Sequence, residues 1–195
     1  MLQIDALTLG DYQTNCYIIR DAASKTCCVI DPGYQPETVL DRVRALGLEV
    51  EAILLTHGHF DHVGGVAAIA ADTDCEVYIH AAELNMPPMM TAGPLFYTDT
   101  YAEGDQLTLA EIPVTVLETP GHTPGSVCLV MDRHLFSGDT LFAGSCGRTD
   151  LPGGNARAMK ESLARLAALK ENYQVHPGHG HGSTLDWEKK TNPYL

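Results

Sequence analysis

The sequence has few basic residues: 12 lysines and arginines stand against 25 aspartates and glutamates, which gives a formal net charge of −13 at pH 7. No cluster of basic side chains is present, so we expect no surface that binds nucleic-acid phosphates. No apolar run reaches the ~18 residues that a membrane-spanning helix needs, and the first residues, MLQIDALTLGDYQ, lack the features of a signal peptide. These absences predict a cytoplasmic protein that binds neither nucleic acid nor membrane.

The six cysteines form no CxxC pair and show no spacing typical of a disulfide framework. In a protein without an export signal, they are expected to be reduced thiols. The apolar fraction of 45% and the charged fraction of 19% are those of an ordinary globular protein. No linker, low-complexity tract or charge block divides the 195 residues, which predicts one domain over residues 1–195.

Short apolar runs bounded by turn residues predict a protein with many β-strands and a few helices. Strands are predicted at Tyr17–Arg20, Cys27–Ile30, Ala52–Leu55, Glu76–His80, Gln106–Ala110, Val114–Glu118, Ser126–Met131, His134–Ser137 and Tyr173–His176. Helices are predicted at residues 36–46, about 64–71 and about 155–169. Groups of strands with helices between them favour two packed sheets with helices outside.

Residues 81–103 are rich in Met, Pro and Tyr and follow no regular period. Loops that carry function are often irregular segments of this kind, so the segment is predicted to form a flap over a site. Tyr97 and Tyr101 within it are candidates for lining a pocket, although packing in the core or on the surface is the stronger expectation for both.

Residues 56–62 read THGHFDH and directly follow the apolar run at 52–55. Neutral imidazole and carboxylate are natural ligands for divalent metal ions, so this cluster predicts a metal site at a strand end. Three later loops also follow predicted strands and present His122 in TPGHTPGS, Asp139 in SGDTLF and His179 in HPGHGHGS. Their glycines and prolines make stiff turns that can aim a ligand.

The last of these loops contains more than one histidine. His176 and His181 flank His179, and the PGHG context favours His179 as the ligand. His181 is predicted to lie at the rim of the site or behind its ligands. His176 is predicted to be structural, as are His80 and His134 at strand ends or turns.

The succession THGHFDH, PGHTPGS, SGDTLF and PGHG, preceded by NCYIIRD and VIDPG, resembles the metallo-β-lactamase superfamily over essentially the whole chain. The resemblance implies an α/β fold, a four-layer αββα sandwich of two mixed sheets with helices on the outer faces. It also implies a centre with two divalent metal ions, expected to be zinc, with iron or manganese as alternatives. The implied ligands are His57, His59 and His122 for one ion, Asp61, His62 and His179 for the other, and Asp139 for both.

Two positions in this pattern narrow the resemblance. His59 stands where the flavodiiron branch has an acidic ligand, which argues against the reduction of oxygen or NO. Asp139 stands where true β-lactamases typically have Cys or Ser, which argues against antibiotic hydrolysis. The chain is also too short for the inserted domain of the nucleic-acid-processing branch.

Within the superfamily, the stretch LFAGSCGRTDLPGG at residues 141–154 resembles the glyoxalase II group, the hydroxyacylglutathione hydrolases. The chain is similar to a short bacterial-type member, because the C-terminal helical extension of that group is absent. Arg148 stands where glyoxalase II has a lysine that meets the glutathione carboxylate, so it is a predicted substrate contact. An ion pair between Arg148 and Asp150, which replaces a substrate-binding tyrosine, is the alternative role.

The implied activity is hydrolysis of a small-molecule thioester, S-lactoylglutathione or the adduct of another thiol. A hydroxide that bridges the two metal ions would attack the carbonyl carbon, with Asp61 and Asp139 as the catalytic residues. A persulfide dioxygenase with one iron is an alternative, because SCGRTD at 145–150 resembles that group too. Hydrolysis of lactones or other esters at the same site, and a non-catalytic metal-binding role, are further alternatives.

Overall fold

Two six-stranded β-sheets form the centre of the structure, a computed structural model that describes residues 1–195. The first sheet contains β1 (Leu2–Leu9), β2 (Thr14–Asp21), β3 (Thr26–Ile30), β4 (Glu49–Leu54), β5 (Glu76–His80) and β6 (Asp99–Tyr101), in this order. The strands from β1 to β3 are antiparallel, and those from β3 to β6 are parallel. The sheet is therefore mixed.

The second sheet is also mixed. Its strands are β7 (Gln106–Leu109), β8 (Ile112–Glu118), β9 (Val127–Met131), β10 (His134–Gly138), β13 (Gln174–Pro177) and β14 (Ser183–Thr184). A separate two-stranded ribbon, β11 (Leu141–Phe142) and β12 (Ser145–Cys146), lies between β10 and β13 in the chain. The spatial order is β14-β13-β10-β9-β8-β7. Because β10 is parallel to β13 and antiparallel to β9, which is antiparallel to β8, the strands β8, β10 and β13 all end at the same edge.

Helices cover the outer face of each sheet. The α-helices are α1 (Pro36–Ala45), α2 (Phe60–Val63), α3 (Val66–Thr73), α4 (Pro88–Thr91), α5 (Ala156–Ala167) and α6 (Leu185–Thr191). Apolar residues of α1 and α3 pack on the first sheet, and those of α5 and α6 pack on the second. No helix has the length and apolar character needed to cross a membrane.

The alternation of side chains along the strands creates the layers. Ile18 and Ile53 of the first sheet belong to the core under α1 and α3, whereas their neighbours Ile19 and Leu54 face the second sheet. A third core lies between the second sheet and α5. The order of layers is helix, sheet, sheet, helix, which confirms the predicted αββα sandwich.

Several elements were not predicted from the sequence, among them β1 and α6. The side chains of β1 are mostly partly buried or exposed, because it is an edge strand that pairs only with β2. It therefore lacks a continuous apolar run. Helix α6 is short and mostly polar, with only Leu185 and Glu188 buried.

The segment predicted to be irregular, residues 81–103, contains a 3-10 helix (Ala81–Asn85), α4 and β6. Tyr101 is buried and donates its hydroxyl to the backbone oxygen of Leu55. Its candidate role in lining a pocket is wrong, and the stronger expectation of core packing is correct. Tyr97 is exposed and lines a shallow pocket beside Leu84 and Leu95 that contains none of the candidate metal ligands.

Candidate metal centre

Loops from both sheets bring the seven predicted metal ligands together at one edge of the sandwich. The loop after β4 supplies four of them, and the loops after β8, β10 and β13 supply one each. Six are buried, and only the side chain of His179 is partly exposed. The seven side chains are His57, His59, Asp61, His62, His122, Asp139 and His179.

The first group contains His57, His59 and His122, whose ligand nitrogens all lie within 4.8 Å of one another. The Nδ1 atom of His59 lies 2.8 Å from Nε2 of His122. The rings meet nearly edge to face, so the nitrogens converge on one point between them. Three converging imidazole nitrogens are a common ligand set for zinc and similar ions.

The second group contains Asp61, His62 and His179. Nε2 of His179 lies 3.3 Å from Oδ2 of Asp61 and 3.3 Å from Nε2 of His62. The hydroxyl of Thr14 donates to the same Asp61 oxygen at 3.3 Å and helps to fix its position. This group offers two nitrogens and one carboxylate oxygen to a second ion.

Asp139 lies between the two groups. Its Oδ2 atom is 3.4 Å from Nε2 of His122, in the first group. Its Oδ1 atom is 3.5 Å from Nε2 of His62, in the second group. Oδ2 also lies 3.6 Å from Nε2 of His179, in the second group. The carboxylate therefore lies against both groups, which is the arrangement that a bridging ligand needs.

Hydrogen bonds fix the tautomers of the histidines nearest the first sheet. Asp31 accepts from Nδ1 of His62 at 2.9 Å and from the hydroxyl of Thr56 at 2.6 Å. Because that hydroxyl donates to Asp31, it accepts from Nδ1 of His57, 3.1 Å away. Both imidazoles thus turn Nε2 toward the centre, and their Nδ1 atoms are held as those of metal-bound histidines are.

Backbone oxygens do the same for the histidines of the second sheet. Nδ1 of His122 donates to the backbone oxygen of Arg148 at 2.8 Å. Nδ1 of His179 donates to the backbone oxygen of Tyr12 at 3.1 Å. Nε2 of each ring is therefore also free to face the centre.

Unpaired polar atoms test whether these residues fit a metal. The buried atoms without a hydrogen-bond partner include Nε2 of His57, Nε2 of His59 and Oδ1 of Asp139. Buried polar atoms are almost always paired, and an unpaired one costs ~1–3 kcal/mol. A divalent ion between the two groups of ligands would satisfy the His57 and Asp139 atoms. The residues therefore fit a divalent metal ion.

The charges of the centre agree with this fit. Burial and the neighbouring imidazoles hold the pKa of His57 well below its usual value and lower that of His59 to about 4. Burial lowers the pKa of His62 as well, but the carboxylates of Asp139 and Asp31 outweigh it and raise the pKa to about 9. Without metal, the centre therefore holds a proton on His62 at neutral pH, and metal binding must release it.

Glu83, a residue that the sequence did not single out, connects the two loops of the first group. It is fully buried, and its Oε2 and Oε1 atoms accept from the backbone nitrogens of Gly58 at 2.6 Å and Gly125 at 2.7 Å. A Cβ atom at residue 125 would lie 2.8 Å from Oε1, so glycine leaves the room for this contact. Glu83 and Gly125 are distant in sequence, and no local sequence pattern predicts their contact.

Glu83→Ala is expected to weaken metal binding about 10- to 100-fold, because the loops of His57 and His122 lose their common anchor. It is also expected to lower the free energy of unfolding of the metal-free protein by ~1–3 kcal/mol, because buried backbone donors lose their acceptor. A metal titration and urea unfolding measure the two effects. Glu37→Ala, which removes the same charge from an exposed position, is the control, and equal behaviour of both variants would contradict the role.

A cavity of about 540 Å³ opens onto the centre. Its wall is lined by candidate ligands and by apolar side chains, including Tyr12, Phe60, Met90, Phe142 and Leu151. Arg148 also lines the cavity and makes two hydrogen bonds to Asp150, so the ion pair considered from the sequence is present. A separate cleft of about 700 Å³ contains His181 and Trp187 but none of the seven candidate ligands.

His176 lies outside the centre, as predicted. Its ring stacks on Phe136 with centroids 4.8 Å apart, and its Nε2 atom lies 2.9 Å from Nδ1 of His134. His80 is likewise structural, with Nε2 3.0 Å from a carboxylate oxygen of Glu118.

The half-buried position of His176 predicts a pH dependence of stability. Burial, with a contribution from His134, lowers the pKa of His176 to about 4, below the value of ~6.5 in an unfolded chain. The unfolded state therefore binds more protons between these values, so this contribution to stability is complete above pH ~6.5 and is lost as the pH falls toward 4. In chelator, His176→Phe should show a smaller loss of unfolding free energy than the native protein between pH 7 and 5. Equal slopes, or the same change in the exposed control His181→Phe, would contradict this.

The sequence pattern of the Metallo-beta-lactamase superfamily matches residues 9–179, a span that contains all seven candidate ligands. The chain belongs to this superfamily. Two solved structures are similar to this metallo-β-lactamase superfamily protein over nearly its full length. The BLEG-1 B3 metallo-beta-lactamase is 34% identical with a TM-score of 0.91, and the match covers 99% of each chain. TTHA1623, solved in a di-iron-bound form, is 39% identical with a TM-score of 0.86, over 98% of this chain and 100% of that one.

The chain is also similar to two further proteins. The hydroxyacylglutathione hydrolase GloC of Haemophilus influenzae is 30% identical over an alignment of 213 positions, which covers 100% of this chain and 98% of that protein. ETHE1 from Myxococcus xanthus is 28% identical with a TM-score of 0.84, over 98% of this chain and 83% of that one. The family match, the di-iron relative and the histidine and aspartate cluster together support divalent metal ions at this centre.

Proposed function

We propose that this protein is a thioester hydrolase of the glyoxalase II type that works with two divalent metal ions. The observation that carries the proposal is the position of Asp139 between two groups of ligands, with its carboxylate oxygens within 3.6 Å of histidine nitrogens of both. The similarity to GloC over the full length of both chains supports the thioester as the substrate class. Zinc is the expected ion, and the di-iron form of TTHA1623 supports iron as the alternative.

Each residue of the centre has a proposed task. His57, His59 and His122 would hold one ion, and Asp139 would contact both. The second ion would be held by Asp61, His62 and His179. When bound, the ions supply a Lewis acid for the carbonyl oxygen and lower the pKa of water to ~7, which makes a nucleophile available at neutral pH.

The protein's own groups position the reactants. Asp61 is held by the hydroxyl of Thr14 and by His179, so its carboxylate can orient the attacking oxygen. The apolar wall of the cavity can hold the acyl and thiol parts of a small thioester against the centre and exclude water. A leaving thiolate needs little help from an acid, because the thiol pKa is ~8.5.

Covalent catalysis by Cys146, which also lines the cavity, has no support. Burial raises the pKa of its thiol, so the reactive thiolate is disfavoured. The proposed reaction therefore uses no side-chain nucleophile.

The test is hydrolysis of S-D-lactoylglutathione and of D-lactoyl-N-acetylcysteamine by the purified protein, with the metal content measured on the same sample. We expect turnover with two ions per chain, loss of turnover in chelator, and recovery when zinc, iron or manganese is added. A protein that holds two ions and hydrolyses neither thioester would overturn the proposal.

Similarity to ETHE1 and the segment SCGRTD at 145–150 support a second candidate, a persulfide dioxygenase with one iron. The complete second group of Asp61, His62 and His179 favours the two-metal hydrolase instead. Oxygen uptake on glutathione persulfide by protein with one Fe(II) per chain would replace the thioesterase with the dioxygenase.

Because the chain is similar to the BLEG-1 B3 metallo-beta-lactamase, β-lactam hydrolysis should be assayed on the same sample. The presence of Asp139, where true β-lactamases typically have Cys or Ser, is the reason to expect no such activity here. Nitrocefin is the probe, and lactones test the remaining ester-hydrolase alternative. Turnover of either probe at a rate above that of the thioesters would change the substrate class and leave the two-metal centre in place.

A further inference from the structure

Arg148 is the one arginine or lysine among the residues that line the cavity at the metal centre. Its backbone oxygen accepts the hydrogen bond from Nδ1 of His122 at 2.8 Å. The residue is therefore held beside a candidate metal ligand, and its side chain lies at the cavity wall. Away from the metal centre, a cationic contact to a substrate inside this cavity must come from this guanidinium.

The guanidinium already has a partner. Nε of Arg148 donates to Oδ1 of Asp150 at 2.7 Å, and Nη2 donates to Oδ2 at 2.8 Å. The two hydrogen bonds use the paired geometry with which arginine binds a substrate carboxylate. The Arg148 side chain also holds the pKa of Asp150 at about 2, so Asp150 is ionised throughout the neutral range.

Outside the metal centre, the cavity offers no second place for an anion. The other acidic or basic side chains in its wall are candidate metal ligands. Tyr12 and Phe60 form an edge-to-face pair with centroids 5.1 Å apart, and Phe142 and Leu151 add apolar surface. The part of the cavity wall beyond the metal centre is therefore suited to bind an apolar group of a substrate.

We propose that Asp150 determines specificity: by pairing with Arg148, it makes the cavity select thioesters of uncharged thiols over thioesters of thiols that carry carboxylates. The inference rests on the proposed function and names its substrate class. At the Nε–Nη2 edge of Arg148, a substrate carboxylate has to displace Asp150, so one ion pair is exchanged for another of the same kind. At the Nη1 edge, which Asp150 leaves free, the substrate carboxylate meets the negative charge of Asp150 close by. In both positions the repulsion between the two carboxylates disfavours the charged thiol.

The test compares two thioesters with the same D-lactoyl group, one of glutathione and one of the uncharged thiol N-acetylcysteamine. The native protein is expected to have a higher kcat/KM for the uncharged substrate. Asp150→Ala should raise kcat/KM for the glutathione thioester about tenfold relative to the other, because Arg148 becomes free to bind a carboxylate. Adding Arg148→Ala to this variant should abolish the gain.

Glu161→Ala is the matched control. Glu161 accepts a hydrogen bond from Arg157 in another exposed ion pair that does not line the cavity. This variant changes the net charge by the same amount, and the ratio of the two substrates should stay at its native value. If Glu161→Ala shifts the ratio as Asp150→Ala does, net charge explains the effect and the inference is wrong.

A second readout separates this inference from the proposed function. Calorimetry measures the binding of the free thiols, glutathione and N-acetylcysteamine, to the metal-loaded protein. If neither thioester is hydrolysed but Asp150→Ala tightens glutathione binding about tenfold, the hydrolase proposal fails and the role of Asp150 stands. If Arg148→Ala alone weakens glutathione tenfold and spares N-acetylcysteamine, Arg148 already binds a carboxylate and the inference is overturned.

Discussion

Asp139→Ala is expected to lower the bound metal from two ions per chain to one or fewer. Thioester hydrolysis is expected to fall by about 10³-fold or more, because the loss affects both metal ions and the stabilisation of the developing oxyanion. The physical reason is that the Asp139 carboxylate lies close to both groups of ligands, with oxygens 3.4 Å from Nε2 of His122 and 3.5 Å from Nε2 of His62. Metal analysis after dialysis and initial rates on a thioester measure the two losses together.

Asp41→Ala is the control for this experiment, since Asp41 is an exposed carboxylate on α1 that pairs with Arg44 and does not line the cavity. It should keep two ions and native rates. An Asp139→Ala protein that retains two ions and native activity would show that the carboxylate does not bridge.

Gly178→Ala is expected to reduce activity by about 100-fold, because misplacing a catalytic group by ~1 Å has effects of this size. A Cβ atom at residue 178 would lie 2.3 Å from Oδ1 of Asp139 and 2.7 Å from Cε1 of His62. The new methyl group must therefore push the bridging carboxylate or the imidazole away from its position. Rates and the metal content of the variant are the measurements.

Gly180→Ala is the contrasting variant in the same loop. Its Cβ would meet no atom within 4 Å, but its φ of +75° is a conformation that side chains other than glycine rarely adopt. This change should cost stability, ~1 kcal/mol, with rates near native. If both variants lose stability and neither loses activity, the space at residue 178 is not what keeps Asp139 in place.

The strands and the sandwich were predictable because apolar runs mark buried strands directly. Strand β4, predicted at Ala52–Leu55, is observed at Glu49–Leu54, and α5, predicted at about 155–169, is observed at Ala156–Ala167. Both bury a continuous face, so periodicity carries the information. The edge strand β1 and helix α6 bury few side chains. Their positions depend on contacts with neighbouring elements, which the sequence pattern does not predict.

The candidate ligands were predictable for a different reason. Each stands in a short motif after a strand, and glycine and proline around it leave a visible pattern. Of the residues that orient the ligands, Asp31 lies in VIDPG and Thr56 in THGHFDH, whereas Glu83 lies in no motif. Thr56 could be noticed only as a neighbour of His57, and Glu83 is joined to Gly58 and Gly125 by contacts across 25 and 42 residues of sequence. Contacts of this kind depend on the complete fold.

The two halves of the sandwich contribute to both groups of ligands. His57 and His59 follow a strand of the first sheet, whereas His122 follows a strand of the second; the group of Asp61, His62 and His179 is divided in the same way. An ion in either place is therefore a cross-link between the sheets, comparable to a disulfide in a secreted domain. Such a cross-link would resist separation of the two sheets at that edge.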